Sequence, residues 1–127
     1  EDDLESGLIM DEPFNTKFVK MLNESGKTNV EVYTKGGITR QVFSNILSKK
    51  DFIPRKDTVI CLIIGMELNY IDGINLLACA GYALSKSIVS DVVIMKHLKR
   101  GEHDLEAIND ELDERGCSLL GWKPRDN

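Results

Sequence analysis

A hydrophobic stretch long enough to cross a membrane is missing from this sequence of 127 residues. The longest apolar run, 59–66, is far shorter than the roughly 20 residues that a spanning helix needs. No basic segment followed by an apolar one, the mark of a secretory signal, opens the printed chain either. We therefore expect neither a membrane anchor nor a membrane partner.

Cysteine is scarce, and its spacing excludes the usual cysteine-based frameworks. Cys61, Cys79 and Cys117 form no C-x-x-C pair and leave an odd number, so neither a disulfide scaffold nor a zinc ribbon is indicated. Cys61 and Cys79 lie in apolar runs, where cysteine behaves as a small hydrophobic residue. A reduced, cytoplasmic setting is the simplest interpretation.

The motifs of catalysis and of metal binding are also missing. There is no glycine-rich phosphate loop and no G-x-S-x-G sequence. His97 and His103 have no cysteine or carboxylate at ligand spacing, which favours surface or partly packed histidines over metal ligands. The acids of 102–114 lack the glycine and the spacing of a calcium loop and are expected on a solvated helix face. The sequence thus predicts no enzyme, no cofactor and no metal.

Charge is unevenly distributed along the chain. The net charge is −5, which by itself disfavours nucleic-acid binding. Residues 1–12 carry six acids and 102–114 carry seven, both without a lysine or arginine, whereas 27–57 carries seven basic residues against three acids. This basic island is compatible with a local nucleic-acid face, with an acidic protein partner or with a self-association surface.

The basic island contains the local pattern of a helix-turn-helix. Thr28 and Glu31 have the spacing of a capping box, and Gly36-Gly37 before Ile38 is typical of a tight exit from a helix. Thr39 can cap a second helix, whose inner face is predicted to carry Val42, Phe43, Ile46 and Leu47.

Helical periodicity continues on both sides of this pair. The expected inward residues of the first short helix are Val30 and Tyr33. A helix from Asp11 to Ser25 has a stripe of Phe14, Phe18, Met21 and Leu22, and 58–68 is apolar on all sides. For 70–80 we expect Ile71, Ile74, Leu77 and Ala78 to face inward. For 88–98 the apolar positions are 88, 92 and 95, with 89 and 93. Asp104 is expected to cap a last helix with Leu105, Ile108 and Leu112 inside.

The run GITRQVFSNILSKKDFIPRKDTVICLIIGMELNYIDGINLL resembles the Cro/C1-type (XRE-like) helix-turn-helix domain, with the resemblance extending over about 14–82. The following LLACAGYALS, with Asp91 and then Asp104-Leu105-x-x-Ile108-Asn109, is similar to an XRE-like C-terminal module that bacteria attach to other domains, macro domains among them. The resemblance decides for a helix at 58–68, where the β-branched residues would also allow a strand.

The resemblance implies an all-α fold. It predicts a lambda-repressor-like five-helix helix-turn-helix bundle at 11–82, with two additional C-terminal helices in an extension, 83–127, packed on it. Residues 1–10 would be a flexible linker or tail, and the chain one module of a longer bacterial protein.

The same resemblance implies a non-enzymatic DNA-binding module of a transcriptional regulator, or the DNA-targeting part of a larger protein. Double-stranded DNA is the expected partner, with a homodimer as a further expectation. Base or phosphate contacts are expected from Thr39, Arg40, Gln41, Ser44 and Asn45, and phosphate contacts from Lys49, Lys50, Arg55 and Lys56. Asn29 stands where many family members have a backbone-bracing glutamine.

A second hypothesis keeps the fold without DNA binding. In that case the chain is a protein-interaction or oligomerisation module that tethers a partner protein or a fused effector domain. The acidic flanks and the shorter Asn29 favour this alternative, and the dependence of binding on salt separates the two hypotheses.

Overall fold

The computed structural model describes residues 13–121, all of whose regular structure is helical. The predicted all-α class is therefore confirmed for this part of the chain, and the expectations for 1–12 and for 122–127 lie outside it. The helices are α1 (Phe14–Ser25), α2 (Asn29–Gly36), α3 (Arg40–Ser48), α4 (Lys56–Met66), α5 (Tyr70–Cys79), α6 (Val89–Lys99) and α7 (Leu105–Glu114).

Helix α4 lies at the centre of the core. Every residue from Val59 to Met66 is buried, so the apolar character that the sequence shows on all sides corresponds to neighbours on all sides. Helix α1 contributes Phe14, Phe18, Met21 and Leu22 to the same core, as its stripe predicted. The prediction of a helix rather than a strand is confirmed for 58–66, and the helix ends two residues earlier than predicted.

Helices α2 and α4 approach each other through two glycines. A Cβ atom on Gly36 would lie 2.4 Å from the carbonyl oxygen of Cys61, and one on Gly65 would lie 2.2 Å from the carbonyl oxygen of Val32. Both distances are shorter than van der Waals contact, so only glycine allows the two backbones to touch at these positions. This contact sets α2 directly against the central helix.

The inward faces predicted for α2 and α5 are wrong in part. Val30 is exposed, whereas Val32 and Gly36 are buried in α2. In α5, Ile71 is 64% exposed, whereas Gly73, Leu76 and Leu77 are buried. The small Gly73 faces the side chain of Ile63 in α4, and a pattern that counts only large apolar residues does not recognise such a contact. The observed face of α5 is therefore rotated from the predicted one.

The predicted face of α6 is also wrong in part. Ile88, Val89 and Val92 are exposed, while Asp91 and His97 are buried beside Val93, Ile94, Met95 and Leu98. Two polar side chains on the inner face are tolerated because each has an oppositely charged or hydrogen-bonding group at close range. Because α6 has apolar residues on both sides, hydrophobic periodicity does not decide which side is buried.

The segment after α7 returns to the turn between α2 and α3. The side-chain amide of Asn109, a buried residue, donates to the carbonyl of Leu120 (3.0 Å) and accepts from its N–H (2.8 Å). Leu120 is buried beside this pairing, whereas Leu119 stays exposed. The Cα of Gly121 then lies so close to α2 that an added Cβ would be 3.1 Å from the Gly37 carbonyl oxygen.

Candidate nucleic-acid interface

The turn between α2 and α3 is tight and well capped. Gly37 adopts a left-handed conformation (φ 71°), and the N–H of Ile38 donates to the Tyr33 carbonyl at 2.9 Å. Thr39 then accepts the Val42 N–H at 3.2 Å and so begins α3, as predicted. The start of α2 has the predicted capping box, in which the hydrogen bond from the Thr28 backbone N–H lowers the pKa of Glu31.

The inner face of α3 is fixed from two sides. Phe43 packs edge-on to Phe18 of α1 (centroids 5.6 Å apart) and also contacts Tyr33 of α2. At the other end, the amide of Asn15 donates to the carbonyls of Ile46 and Leu47, at 2.8 and 2.9 Å. Because both ends are held, the outer face of α3 has a defined orientation before any ligand binds.

The outer face carries the predicted base-reading residues. Arg40, Gln41 and Ser44 are exposed, and Asn45 is half-buried and accepts a hydrogen bond from the Gln41 amide at 3.3 Å. The Arg40 side chain makes no hydrogen bond or ion pair with any part of 13–121. Its guanidinium therefore offers its full set of donors to solvent or to a ligand.

The predicted phosphate-contacting cations fall into two groups. Lys49, at the C-cap of α3, and Lys50 are exposed and unpaired within the described range, and Arg55 makes only a solvent-exposed pair with Asp57 at 3.6 Å. Lys56 is different, because its ammonium lies 2.8 Å from the buried carboxylate of Asp91. The charge of Lys56 is thus already compensated by a residue of α6.

Asn29 and Thr39 complete the predicted set. Asn29 is exposed at the first position of α2, and its side chain has no partner among the described residues. The Thr39 hydroxyl oxygen accepts the capping hydrogen bond and so remains able to donate its proton. Both residues lie at helix starts, where backbone N–H groups are also free to meet an anion.

A charged cluster between α6 and α7 went unrecognised in the sequence. Glu111 receives hydrogen bonds from Lys96 and Arg115, and Nε2 of the buried His97 lies 2.9 Å from the same carboxylate. These contacts, led by that of Lys96, lower the pKa of Glu111 to about 2. In the sequence, the signal for this cluster is the presence of two basic residues, Lys96 and His97, in one predicted helix and of the acidic Glu111 in the next.

The two histidines, predicted to be at the surface or partly packed, differ in burial. His97 is buried, with Nδ1 at 3.1 Å from the Glu102 carboxylate although without hydrogen-bond alignment. His103 is half-buried, and its Nε2 lies 2.6 Å from the Leu68 carbonyl. Across 13–121, no three histidine, cysteine or acidic side chains are arranged to hold a metal ion.

Burial also decides the chemistry of Cys61. Its surroundings, chiefly through loss of hydration, raise the pKa of the thiol to about 12. The thiol is therefore protonated at neutral pH and acts as a packing group, as predicted for a cysteine in an apolar run.

The described residues form an all-helical fold in which α3 presents a polar, partly cationic face. In the described range no helix combines the length and the apolar character needed to cross a lipid bilayer. Comparisons of the chain with protein-family models, with curated proteins and with solved structures find no match.

Proposed function

We propose that α1–α5 form a lambda-repressor-like helix-turn-helix unit and that the chain is a DNA-binding module of a bacterial transcriptional regulator. The observation that carries this proposal is the difference between the inner and the outer face of α3. Its inner face is fixed by Phe43 and Ile46, while Arg40, Gln41 and Ser44 point away from the core. The Gln41 amide donates one hydrogen bond to Asn45 and keeps its second N–H and its carbonyl oxygen for a ligand. Such a helix suits the major groove, where base edges are read by side chains.

Each outer residue has a definite role in this proposal. Arg40 donates two hydrogen bonds to the O6 and N7 of a guanine, and Gln41 pairs with the N6 and N7 of an adenine. Ser44 and Asn45 reach neighbouring base edges or phosphates. Lys49, Lys50 and Arg55 neutralise phosphates without regard to sequence, and Asn29 and Thr39 donate to the backbone at helix starts.

Lys56 is left out of the proposed phosphate contacts. Its ammonium is held by Asp91, whose carboxylate is 5% exposed and also accepts the Ser85 N–H at 2.9 Å. Moving Lys56 to a phosphate would leave a buried carboxylate without its cation, which is costly. The module acts by occupying its site on DNA, with no chemical step, in the cytoplasm.

Selection from a random duplex library, at low and at moderate salt, tests the proposal directly. The wild-type chain should enrich one sequence motif. Arg40→Ala should weaken the free energy of binding to that motif by about 1–3 kcal/mol and relax the preference at one base pair. Lys49→Ala should weaken all duplexes about equally.

Arg100→Ala and Lys86→Ala are the matched controls, because each removes the same charge from an exposed position outside the helix-turn-helix. No duplex retained at low salt, or equal losses in the controls and in Arg40→Ala, would refute the proposal. The protein-interaction hypothesis would then take its place, since exposed apolar residues around the start of α6 favour it.

A further inference from the structure

Exposed apolar side chains concentrate around the start of α6. Ile88 is 48% exposed, Val89 54%, Val92 43% and Leu119 47%. Ile88, Val89 and Leu119 line one groove of about 510 Å³, and Val92 follows Ile88 by one helical turn. We call this depression, between the starts of α4 and α6 and the segment 117–120, the α6 groove.

The floor of the α6 groove belongs to the core. Ile60 of α4, Ile94 of α6, Leu112 of α7 and Leu120 are all buried and all line it. Apolar residues thus form both the floor and much of the rim. Exposed apolar area of this kind, concentrated rather than scattered, is typical of a surface that binds another macromolecule.

Charge at the α6 groove is balanced. Its lining has two cations, Arg55 and Lys56, and two anions, Asp57 and Asp91. Lys56 and Asp91 neutralise each other at 2.8 Å, and Arg55 and Asp57 lie 3.6 Å apart at the solvent-exposed rim. The groove therefore has no net charge that would attract a nucleic acid or a strongly basic protein, although the chain as a whole carries a net charge of −5.

We infer that the α6 groove is a two-fold interface between two copies of this chain. A two-fold contact sets a patch against itself, so the surface must be complementary to its own image. The α6 groove meets this condition in two ways. Its apolar rim can cover the apolar floor of the other copy, and Arg55 of each copy can face Asp57 of the other.

Electrostatics favours this occupant. Two chains of net charge −5 repel each other, and a neutral face is the one through which they can approach at least cost. The apolar positions 88, 89 and 92 are also those that periodicity predicts to be buried, and a second copy would bury them. Arg40, Gln41 and Ser44 do not line the α6 groove, and Arg55 is the one proposed phosphate contact that does. The dimer therefore goes beyond the proposed DNA binding and does not depend on it.

Sedimentation of the complete chain across micromolar to millimolar concentrations tests the dimer. Leu119→Asp should raise the dimer dissociation constant about tenfold or more, since it places a charge in the apolar contact. Ile71→Asp is the matched control, because Ile71 is exposed on α5 outside the groove. The helical circular dichroism spectrum should be unchanged in both variants, whose residues are solvent-exposed.

Exchanging the charges of Arg55 and Asp57 tests whether the molecule that binds the groove is a second copy of this chain. Arg55→Asp alone and Asp57→Arg alone should each weaken self-association, because like charges then face each other in both halves of the interface. An equimolar mixture of the two variants should restore the dimer, since every facing pair is again of opposite sign. The DNA library experiment can fail without affecting this result, and the reverse also holds.

A chain that stays monomeric at every concentration would overturn the inference. Equal weakening by Ile71→Asp and Leu119→Asp would do the same, as would failure of the mixed variants to associate. A monomer that binds anilinonaphthalene sulfonate, with the fluorescence lost in Leu119→Asp, would also overturn it and assign the groove to a different occupant.

Discussion

At the scale of single residues, the glycines between α2 and α4 set how closely the helices pack. The carbonyl oxygens of Cys61 and Val32 occupy the space that a side chain at Gly36 or Gly65 would need. Backbone atoms cannot move aside as the end of a side chain can. A methyl group at either position must therefore push α2 away from the central helix, together with the turn that begins α3.

Gly65→Ala should lower the free energy of unfolding by about 1–3 kcal/mol, the usual cost of overpacking a well-filled core. Gly73→Ala is the control, because its added Cβ would meet only the side chain of Ile63, at 3.1 Å. Urea denaturation of both variants measures the difference. An unchanged midpoint for Gly65→Ala would show that α2 and α4 are not held as closely as the structure indicates.

The two faces of α3 give a second residue-scale prediction. Ile46 is fully buried, so Ile46→Asp should unfold the domain by burying an unpaired charge. Ser44→Asp introduces the same carboxylate on the exposed face of the same helix and should leave the helical circular dichroism spectrum intact. It should abolish duplex binding through repulsion from phosphate. A folded Ile46→Asp variant would contradict the assignment of faces.

At the scale of helices, the sequence correctly predicts the features that depend on residues close together in the chain. Thr28, Thr39 and Asp104 each accept the capping hydrogen bond that the sequence indicates, because a cap needs only residues three positions apart. The faces of α5 and α6 depend on which distant helices pack against them. Periodicity alone could not place Gly73 inside or Val92 outside.

Helix α7 is bound to α6 through the hydrogen bonds and ion pairs that Glu111 makes with Lys96 and His97. Because the pKa of Glu111 is lowered to about 2 from the usual 4.5, ionised Glu111 stabilises the folded state at any pH above about 4.5. That contribution decreases as the pH falls from about 4.5 towards 2, where the folded protein also takes up the proton. Stability should therefore fall on acidification through this interval.

Glu111→Gln should remove most of this acid sensitivity and lower the stability at pH 7 by about 1–2 kcal/mol, since hydrogen bonds to a charged group are lost. Glu114→Gln, an exposed acid of the same helix without a partner in 13–121, is the control. Thermal unfolding between about pH 2 and pH 7 makes the comparison. Parallel curves for wild type and Glu111→Gln would rule out this role.

At the scale of the whole molecule, the two candidate surfaces differ in how well the sequence could predict them. The α3 face is built from one continuous stretch with its own caps and turn, and its residues were predicted individually. The sequence does not indicate that Lys56 of α4 is paired, because its partner Asp91 lies 35 positions further along the chain. The α6 groove combines α4, α6 and the segment 117–120, and no local pattern indicates that these three meet.

Because the outer face of α3, Lys49 and Lys50 lie outside the α6 groove, the salt dependence of DNA binding can count the copies of the chain that are bound. Lys49 and Lys50 are the proposed cationic phosphate contacts that lie outside the α6 groove. These two contacts per chain correspond to a slope of about −1.8 for the logarithm of the association constant against that of salt concentration. A dimer that places both copies on one duplex should show about −3.6. Leu119→Asp should reduce the slope to the single-chain value, whereas Ile71→Asp, which adds the same charge, should not. A slope of about −1.8 in wild type, unchanged in Leu119→Asp, would mean that the copies bind DNA one at a time.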